Sequence, residues 1–283
     1  MKKIAVSGST GFIASYLIPI LEKEGYSIVP LIREDFKNTA ILSEKLKDCT
    51  AVINLAGAPI VKRWSEKYKK ELYSSRVTLT ETLANTINSL PEKPELFISA
   101  SAVGIYKDGK FCNESCRDLR EDFLGKLCKD WENAALKCQT RTVVVRIGVV
   151  LGKNGGIIKK ISLPFKLGLG GRLGNGKQGF SWIHIDDLTN IMLFALQNKN
   201  LSGIVNGVSP NPVTNAEFTS AVSKVLKRPA IFPAPSFLLK AVFKEGAKLL
   251  LEGQKAVPEK LEKEGFKFKY PEIEQALKQV FSK

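Results

Sequence analysis

The sequence predicts an α/β protein: a Rossmann-type doubly wound parallel sheet with a smaller C-terminal substrate domain. Three observations carry this. Strand-like and helix-like segments alternate through the first half of the chain. The strand-like segments, such as "AVINLAG" and "RTVVVRIGVVL", are continuous apolar runs, the pattern of strands covered on both faces. And the first strand runs into a glycine loop, "VSGSTGFIA", with a helical pattern following at once.

The elements follow in order. "KIAVSG" is a strand, and "FIASYLIPILEKEGY" has helical spacing that stops at Gly25. "SIVPLIR" is a second strand, "TAILSEKLKDC" a short helix and "AVINLAG" a third strand. "SEKYKKELYSSRVTLTETLANTINSL" is one long helical segment. "ELFISAS" is a fourth strand, "FLGKLCKDWENAALKC" a helix, and "RTVVVRIGVVL" a fifth strand. This β-α-β order implies right-handed crossovers within one sheet. After residue 151 the chain turns glycine-rich and irregular. "FSWIHIDDLTNIMLFAL" then reads as a strand and a helix, with Asp186 or Asp187 placed to cap it. "PNPVTNAEFTSAVSKVLKR" is a loop and a capped helix, followed by the Pro-rich "RPAIFPAPSFLL" and lysine-rich helical segments. The division expected is a dinucleotide-binding domain over 1–150, completed by 180–205, and a smaller domain from 151–179 and 206–283.

With 283 residues, 44% of them hydrophobic, the chain can bury a sizeable core and is not a disordered one. No apolar run approaches the roughly 18 residues of a membrane span, and the N-terminal pattern is not that of a signal peptide. A cytoplasmic protein without a membrane partner is therefore expected. The formal charge is +15. The lysines are spread along the whole chain, without an arginine-rich arm or aromatic-interleaved basic stretch. Nucleic acid is accordingly not the expected partner, and an anionic small ligand suffices. Five cysteines form no C-x-x-C pair, and there is one histidine. This excludes a Cys/His metal site and points to reduced thiols. Oligomeric state is not legible, a homodimer being one option.

Gly8-Ser9-Thr10-Gly11-Phe12-Ile13-Ala14 is G-x-x-G-x-x-A at the first strand-to-helix turn. Gly8 allows the tight turn, Gly11 a close approach to a pyrophosphate, and Ala14 close helix–strand packing. The helix N-terminus then faces the phosphates with free N–H groups. The second strand ends Ile32-Arg33-Glu34-Asp35. An acid here would bind the ribose 2′-hydroxyl of NAD, whereas Arg33 suits a 2′-phosphate, so NADP(H) is favoured; the bland alternative for Arg33 is a surface salt bridge. The third strand ends Asn54-Leu55-Ala56-Gly57, small residues that let the chain pass against the adenine ribose. In the helix beyond, Glu71 and Arg76 lie five apart, on nearby but not identical faces of an α-helix. An exposed helix face explains them equally well.

Taken together, these elements resemble the extended and atypical short-chain dehydrogenase/reductases. The stretches "NLAGAPIVKRWSEKYKKELYSSRV", "ISASAVGIY", "KDWENAA", "VVVRIGVVLGKNGG", "LPFKLGLGGRLGNGKQGFSWIHIDDL", "NGVSPNPVTNAEF" and "LLLEGQKAVPEKL" are similar to the SDR39U1-type epimerase-family proteins, with their DUF1731 C-terminal domain. The resemblance spans essentially the whole chain. It implies an NADP(H) ligand held by Gly8–Ile13, Ile32, Arg33, Leu55, Ala56, Glu71, Arg76 and Val150.

Such reductases commonly use Ser/Thr, Tyr and Lys: Tyr protonates a carbonyl, Lys one turn on lowers the Tyr pKa, and Ser orients the substrate. The one Y-x-x-x-K here, Tyr106 to Lys110, has Asp108-Gly109 at its centre, a turn signal that breaks the shared helix face. Extended members carry a glutamate four residues after the lysine. If Glu132 is that glutamate, Cys128 occupies the lysine position and Leu124 the tyrosine position. Ser101 matches the family's catalytic Ser/Thr position, and Tyr106 is the remaining candidate proton donor. His184 reads as a packed core residue rather than an acid/base, and Trp182 as packing. The expectation is an NADP(H)-dependent oxidoreductase or nucleotide-sugar-epimerase-like enzyme with an unknown small-molecule substrate, and Ser101 and Tyr106 as candidate catalytic residues. The alternative is a non-catalytic NADP(H)-binding sensor or scaffold.

Overall fold

The computed structural model describes residues 2–282. Its centre is a six-stranded sheet: β1 (Lys3–Ser7), β2 (Ser27–Leu31), β3 (Cys49–Asn54), β4 (Leu96–Ala102), β5 (Arg141–Ile147) and β6 (Gly203–Gly207). The spatial order is β2-β1-β3-β4-β5-β6, and every pairing is parallel. The order reverses direction between β1 and β3. In an open α/β sheet that point leaves a crevice outside the carboxyl ends of the strands.

Alternate residues of each strand feed two apolar layers. Ile4, Val6, Ile53, Ile98, Val143 and Val145 pack against α1 (Phe12–Lys23) and α7 (Ile185–Gln197). Ala5, Val52, Phe97 and Val144 pack against α2 (Thr39–Leu46) and α4 (Leu79–Ser89). Because both faces are covered, the strands carry no polar alternation. The expected long helix is instead α3 (Glu66–Tyr73) running into α4 through a π-helical turn at Ser74–Thr78. Helix α5 (Phe123–Leu136) precedes β5. The strand β6 was not expected: "GIVNG" opens and closes on glycine, which hides its strand character.

The remaining chain forms α6 (Gly156–Lys166), α8 (Asn215–Leu226), α9 (Ser236–Phe243), α10 (Lys248–Leu251), α11 (Glu259–Lys263) and α12 (Ile273–Phe281). Helix α12 packs on α8 through Ala276, Leu277 and Val280 against Phe218, Ala221 and Val222. Leu261 and Phe266 return to the sheet and join the layer under α1 and α7.

Two local expectations are corrected. The cap of α7 is His184, whose Nδ1 accepts the Asp186 N–H at 3.1 Å; Asp187 is buried and accepts the N–H groups of Lys269 (2.7 Å) and Tyr270 (2.9 Å) instead. Cys112 and Cys116 are paired as a disulfide rather than reduced, because the turn between them brings their Cα atoms to 5.3 Å. Cys49, Cys128 and Cys138 are free and buried. Among the described residues no group of His, Cys, Asp and Glu could hold a metal ion, and no helix is long and apolar enough to cross a membrane.

Candidate cofactor cleft

The loop after β1 sits at the crevice. Gly8 has φ +67°, a left-handed conformation that only glycine takes without strain. A Cβ there would lie 2.9 Å from the Leu55 carbonyl, so the loops after β1 and β3 are in direct contact. The Gly11 N–H donates to the Gly8 carbonyl at 2.8 Å and closes the turn. Helix α1 begins at Phe12 with Gly11 as an N-cap that offers no side-chain acceptor, and no acid in its first turn. Its leading N–H groups and positive dipole end are left for an anion. Ala14 is fully buried, as close helix–strand packing requires. Ser9 and Ile13 are half-buried and Thr10 exposed on the same loop and first turn. Phe12 packs beneath Gly152, Gly155 and Gly156, and the Tyr16 hydroxyl donates to the Lys153 carbonyl at 2.9 Å. The Val150 carbonyl adjoins Gly156, so Val150 reaches the same rim.

Polar residues at the carboxyl ends of three adjacent strands hold these loops. Ser7, Asn54 and Ser99 are in register across β1, β3 and β4. The Ser7 hydroxyl donates to Asn54 Oδ1 at 2.6 Å, and Asn54 Nδ2 donates to Thr80 Oγ1 at 2.8 Å. The Trp131 indole N–H also donates to Thr80, at 3.0 Å. Sequence reasoning gave Ser7 and Ser99 no role. Their signal is a polar residue within an otherwise apolar strand.

At the end of β2, Ile32, Arg33 and Glu34 are exposed, while Asp35 is buried. The Asp35 carboxylate accepts the Ile32 N–H at 2.8 Å and pairs with Lys45 at 2.7 Å. The acid that could have bound a ribose 2′-hydroxyl is thus committed to the loop itself. Arg33 and Glu34 are left as the open charges.

Beyond β3, Leu55 and Ala56 are half-buried and Gly57 exposed. The Arg76 guanidinium lies over Gly57, 3.2 Å from where a Cβ would stand, and donates to the Ala58 carbonyl at 2.8 Å. It also stacks 5.4 Å from the Trp131 ring. Burial lowers its pKa, and no carboxylate pairs with it among the described ion pairs. Arg76 sits in the π-turn, whose i→i+5 spacing brings residues five apart onto one side. Glu71, five residues before it, is exposed at the end of α3.

The two candidate catalytic hydroxyls lie in one buried polar network. Ser101 is buried at the end of β4, and its hydroxyl donates to Glu132 at 2.7 Å. Glu132 in turn makes a bidentate pair with Arg146, both bonds 2.7 Å. In this arrangement the Ser101 proton is directed at the Glu132 carboxylate. Tyr106 is fully buried. Its oxygen accepts from Arg146 at 2.8 Å, and its hydroxyl faces two acceptors, Asn206 Oδ1 at 2.8 Å and the Asn113 carbonyl at 3.0 Å. Burial raises its pKa against the opposing pull of Arg146. Ser101, Glu132, Arg146, Tyr106 and Asn206 form one closed polar network tying β4, α5, β5 and β6 together. On α5, Leu124 and Cys128 are buried one turn apart, Leu124 packing against Gly104 beyond β4. Burial pushes the Cys128 thiol up to about 12, so it stays protonated. Lys110 is exposed and pairs with Asp118 at 3.4 Å, and Gly109 has φ +70°, in keeping with a turn.

The C-terminal segment closes the far side. Gln254 is buried and donates to the Val103 carbonyl at 2.7 Å, while its own carbonyl accepts from Ser181 at 2.8 Å. Next to it lies a cavity of about 620 Å³ lined by Gln178, Ser236, Lys240, Lys244 and Leu251, among others. The side-chain Oε1 of Gln178 is buried without a partner.

Residues 4–206 match the family model of the NAD dependent epimerase/dehydratase family, and residues 234–280 match the domain of unknown function DUF1731. The mouse epimerase family protein SDR39U1 is 40% identical over 98% of this chain and 99% of its own length. A chloroplastic SDR39U1 homologue from Arabidopsis thaliana is 40% identical over 98% of this chain and 86% of its own. Among solved structures, human SDR39U1 (isoform 2) with NADPH superposes with a TM-score of 0.92 at 37% identity, covering 98% of both chains. A UDP-glucuronic acid 4-epimerase from Bacillus cereus in complex with NAD, at 19% identity and TM-score 0.76, shares the fold.

Proposed function

The chain belongs to the NAD dependent epimerase/dehydratase family, and from that premise we propose that it binds NADP(H) in the β1/β3 crevice and acts as an oxidoreductase or epimerase-like enzyme on a small hydroxyl- or carbonyl-bearing substrate. The observation that carries the cofactor choice is the fate of Asp35 and Arg33 at the end of β2, on either side of the exposed Glu34. Asp35 is turned inward onto Ile32 and Lys45, and Arg33 is left exposed to meet a 2′-phosphate. The pyrophosphate would lie on Gly8, Ser9, Thr10, Gly11 and the uncapped start of α1. The NADPH in the human relative's structure supports the same reading. When bound, the nicotinamide supplies hydride exchange with a carbon bearing oxygen. Arg76 places a positive charge in the neighbourhood of Cys128, on the face where the family's lysine would stand. It can hold a ribose or phosphate oxygen, but as an always-charged group it does not shuttle protons.

A second reading, a binder that senses the nucleotide without turnover, is favoured by one observation. If Glu132 is the family's glutamate, the tyrosine and lysine positions fall on Leu124 and Cys128, neither of which transfers a proton at neutral pH. Calorimetric titration with NADPH, NADP⁺, NADH and NAD⁺ tests the shared premise. Tight binding of the phosphorylated pair alone is expected, and equal affinity for all four would overturn it. Metabolite-dependent oxidation of NADPH then separates enzyme from sensor.

A further inference from the structure

Helix α9 is left largely uncovered. Its sequence, "SFLLKAVF", is apolar, yet none of its residues is buried. Leu239 and Phe243 are half-buried, while Phe237 (70% exposed), Leu238 and Val242 (58%) face solvent. A surface helix of a soluble domain ordinarily turns polar residues outward. The neighbouring chain repeats the pattern. Residues 168–174 run beside 229–234, with Phe232 N–H donating to Gly170 O (3.1 Å) and Ala234 N–H to Arg172 O (2.9 Å). From this paired edge Leu167, Leu169, Ile231 and Phe232 also project, Ile231 with 71% of its surface open. Apolar patches of this kind on a soluble protein mark a contact surface.

The charge around the patch identifies the partner. Residues 133–185 contain no Asp or Glu, and neither do residues 218–244. The exposed charges of these segments, Lys160, Lys166, Lys227 and Arg228 among them, are positive, and the acid just past α9, Glu245, is paired with Lys69 at 2.6 Å. Protruding apolar tips set among cations, with no acid between them, match an anionic lipid surface: the tips enter the acyl boundary and the cations meet the headgroups. We propose that this face, built from α6, residues 167–172, residues 229–234 and α9, docks reversibly on an anionic bilayer. A second copy of the chain fits it poorly, since an isologous contact would set one acid-free basic face against another. A chain with no spanning helix among its described residues can still lie on a membrane.

Flotation of the full chain with vesicles tests this. The protein is expected to float with phosphatidylcholine/phosphatidylglycerol vesicles, to stay behind with pure phosphatidylcholine, and to be partly released by high salt. Phe237→Asp and, separately, Phe232→Asp should lower the partitioning roughly tenfold or more, the scale of one buried aromatic. Both sites are exposed, so melting temperature and NADPH affinity should be unchanged and would show that the variants fold. Absence from anionic vesicles, equal binding to neutral ones, or wild-type partitioning of both variants would overturn the proposal. So would a dimer in sedimentation that either variant dissociates.

Discussion

Arg33 and Asp35 stand two residues apart and illustrate what a local reading can and cannot resolve. A basic residue at the end of the second strand is visible in the sequence, and its meaning follows from charge alone. The withdrawal of Asp35 is not visible, because it depends on Lys45 ten residues on. Arg33→Glu should therefore weaken NADPH binding by the worth of a charge-assisted bond, about 1.5–3 kcal/mol or roughly ten- to a hundredfold, and leave NADH little changed. Calorimetry with both nucleotides reads the difference, and equal losses would remove the 2′-phosphate role. Ser101 and Tyr106 show the opposite limit. Each hydroxyl is bonded to a group from another element, Glu132 on α5 and Asn206 on β6, that no local pattern connects to it. Glu132→Ala would leave Arg146 charged and buried without its partner. A loss of about 3–5 kcal/mol in denaturant-derived stability is expected, with NADPH affinity of the folded fraction retained. Loss of affinity at full stability would instead place the network in the cofactor site.

The strands and helices of the nucleotide half were legible because apolar runs covered on both faces, and a glycine turn between them, leave little else for the chain to do. The π-turn at Ser74–Thr78 was not, since an inserted residue does not disturb helical periodicity enough to be seen. The start of α7 was misread for a related reason: the two acids after His184 match a capping pattern, yet the imidazole itself caps the helix. That geometry has a pH signature. His184 Nδ1 accepts a backbone N–H while Nε2 faces the Gln279 amide oxygen at 2.9 Å, so the neutral ring is the bonded form. Burial lowers its pKa below the ordinary value, outweighing the attraction of Asp186 and Asp187, with Lys269 opposing protonation and Tyr270 packed on the ring. The unfolded chain thus takes up the proton more readily than the folded one. Stability should be full above about pH 6.5 and fall as the pH drops through that value toward the lower folded one. His184→Asn keeps a capping acceptor and should flatten this part of the melting-temperature profile. An unchanged slope would assign the acid sensitivity elsewhere.

On the scale of the whole molecule, the shift of texture near residue 151 reads as a boundary between parts, but the chain after it is woven back into the sheet. The strand Lys255–Ala256 pairs with Phe111–Cys112, Asn206 donates to the Val257 carbonyl, and Gln254 to Val103. Leu261 and Phe266 complete the layer under α1 and α7, and Leu277 and Val280 the layer against α8. These contacts join residues far apart in sequence, which is why composition alone separates what packing unites. Removing residues 234–283 would delete those four buried apolar side chains and expose the surfaces they cover. At about 1.5–3 kcal/mol each the loss is roughly 6–12 kcal/mol, against a typical total of about 5–15 kcal/mol for a folded domain. The truncated chain should therefore lack a cooperative thermal transition and bind no NADPH, even though every residue assigned to the nucleotide lies before the cut. The full chain should unfold in one transition by both near- and far-ultraviolet circular dichroism. A fragment 1–233 that melts cooperatively and still binds NADPH would show instead that the C-terminal segment is an appended module. Its contacts with β4 and β6 would then tune the nucleotide half without sustaining it.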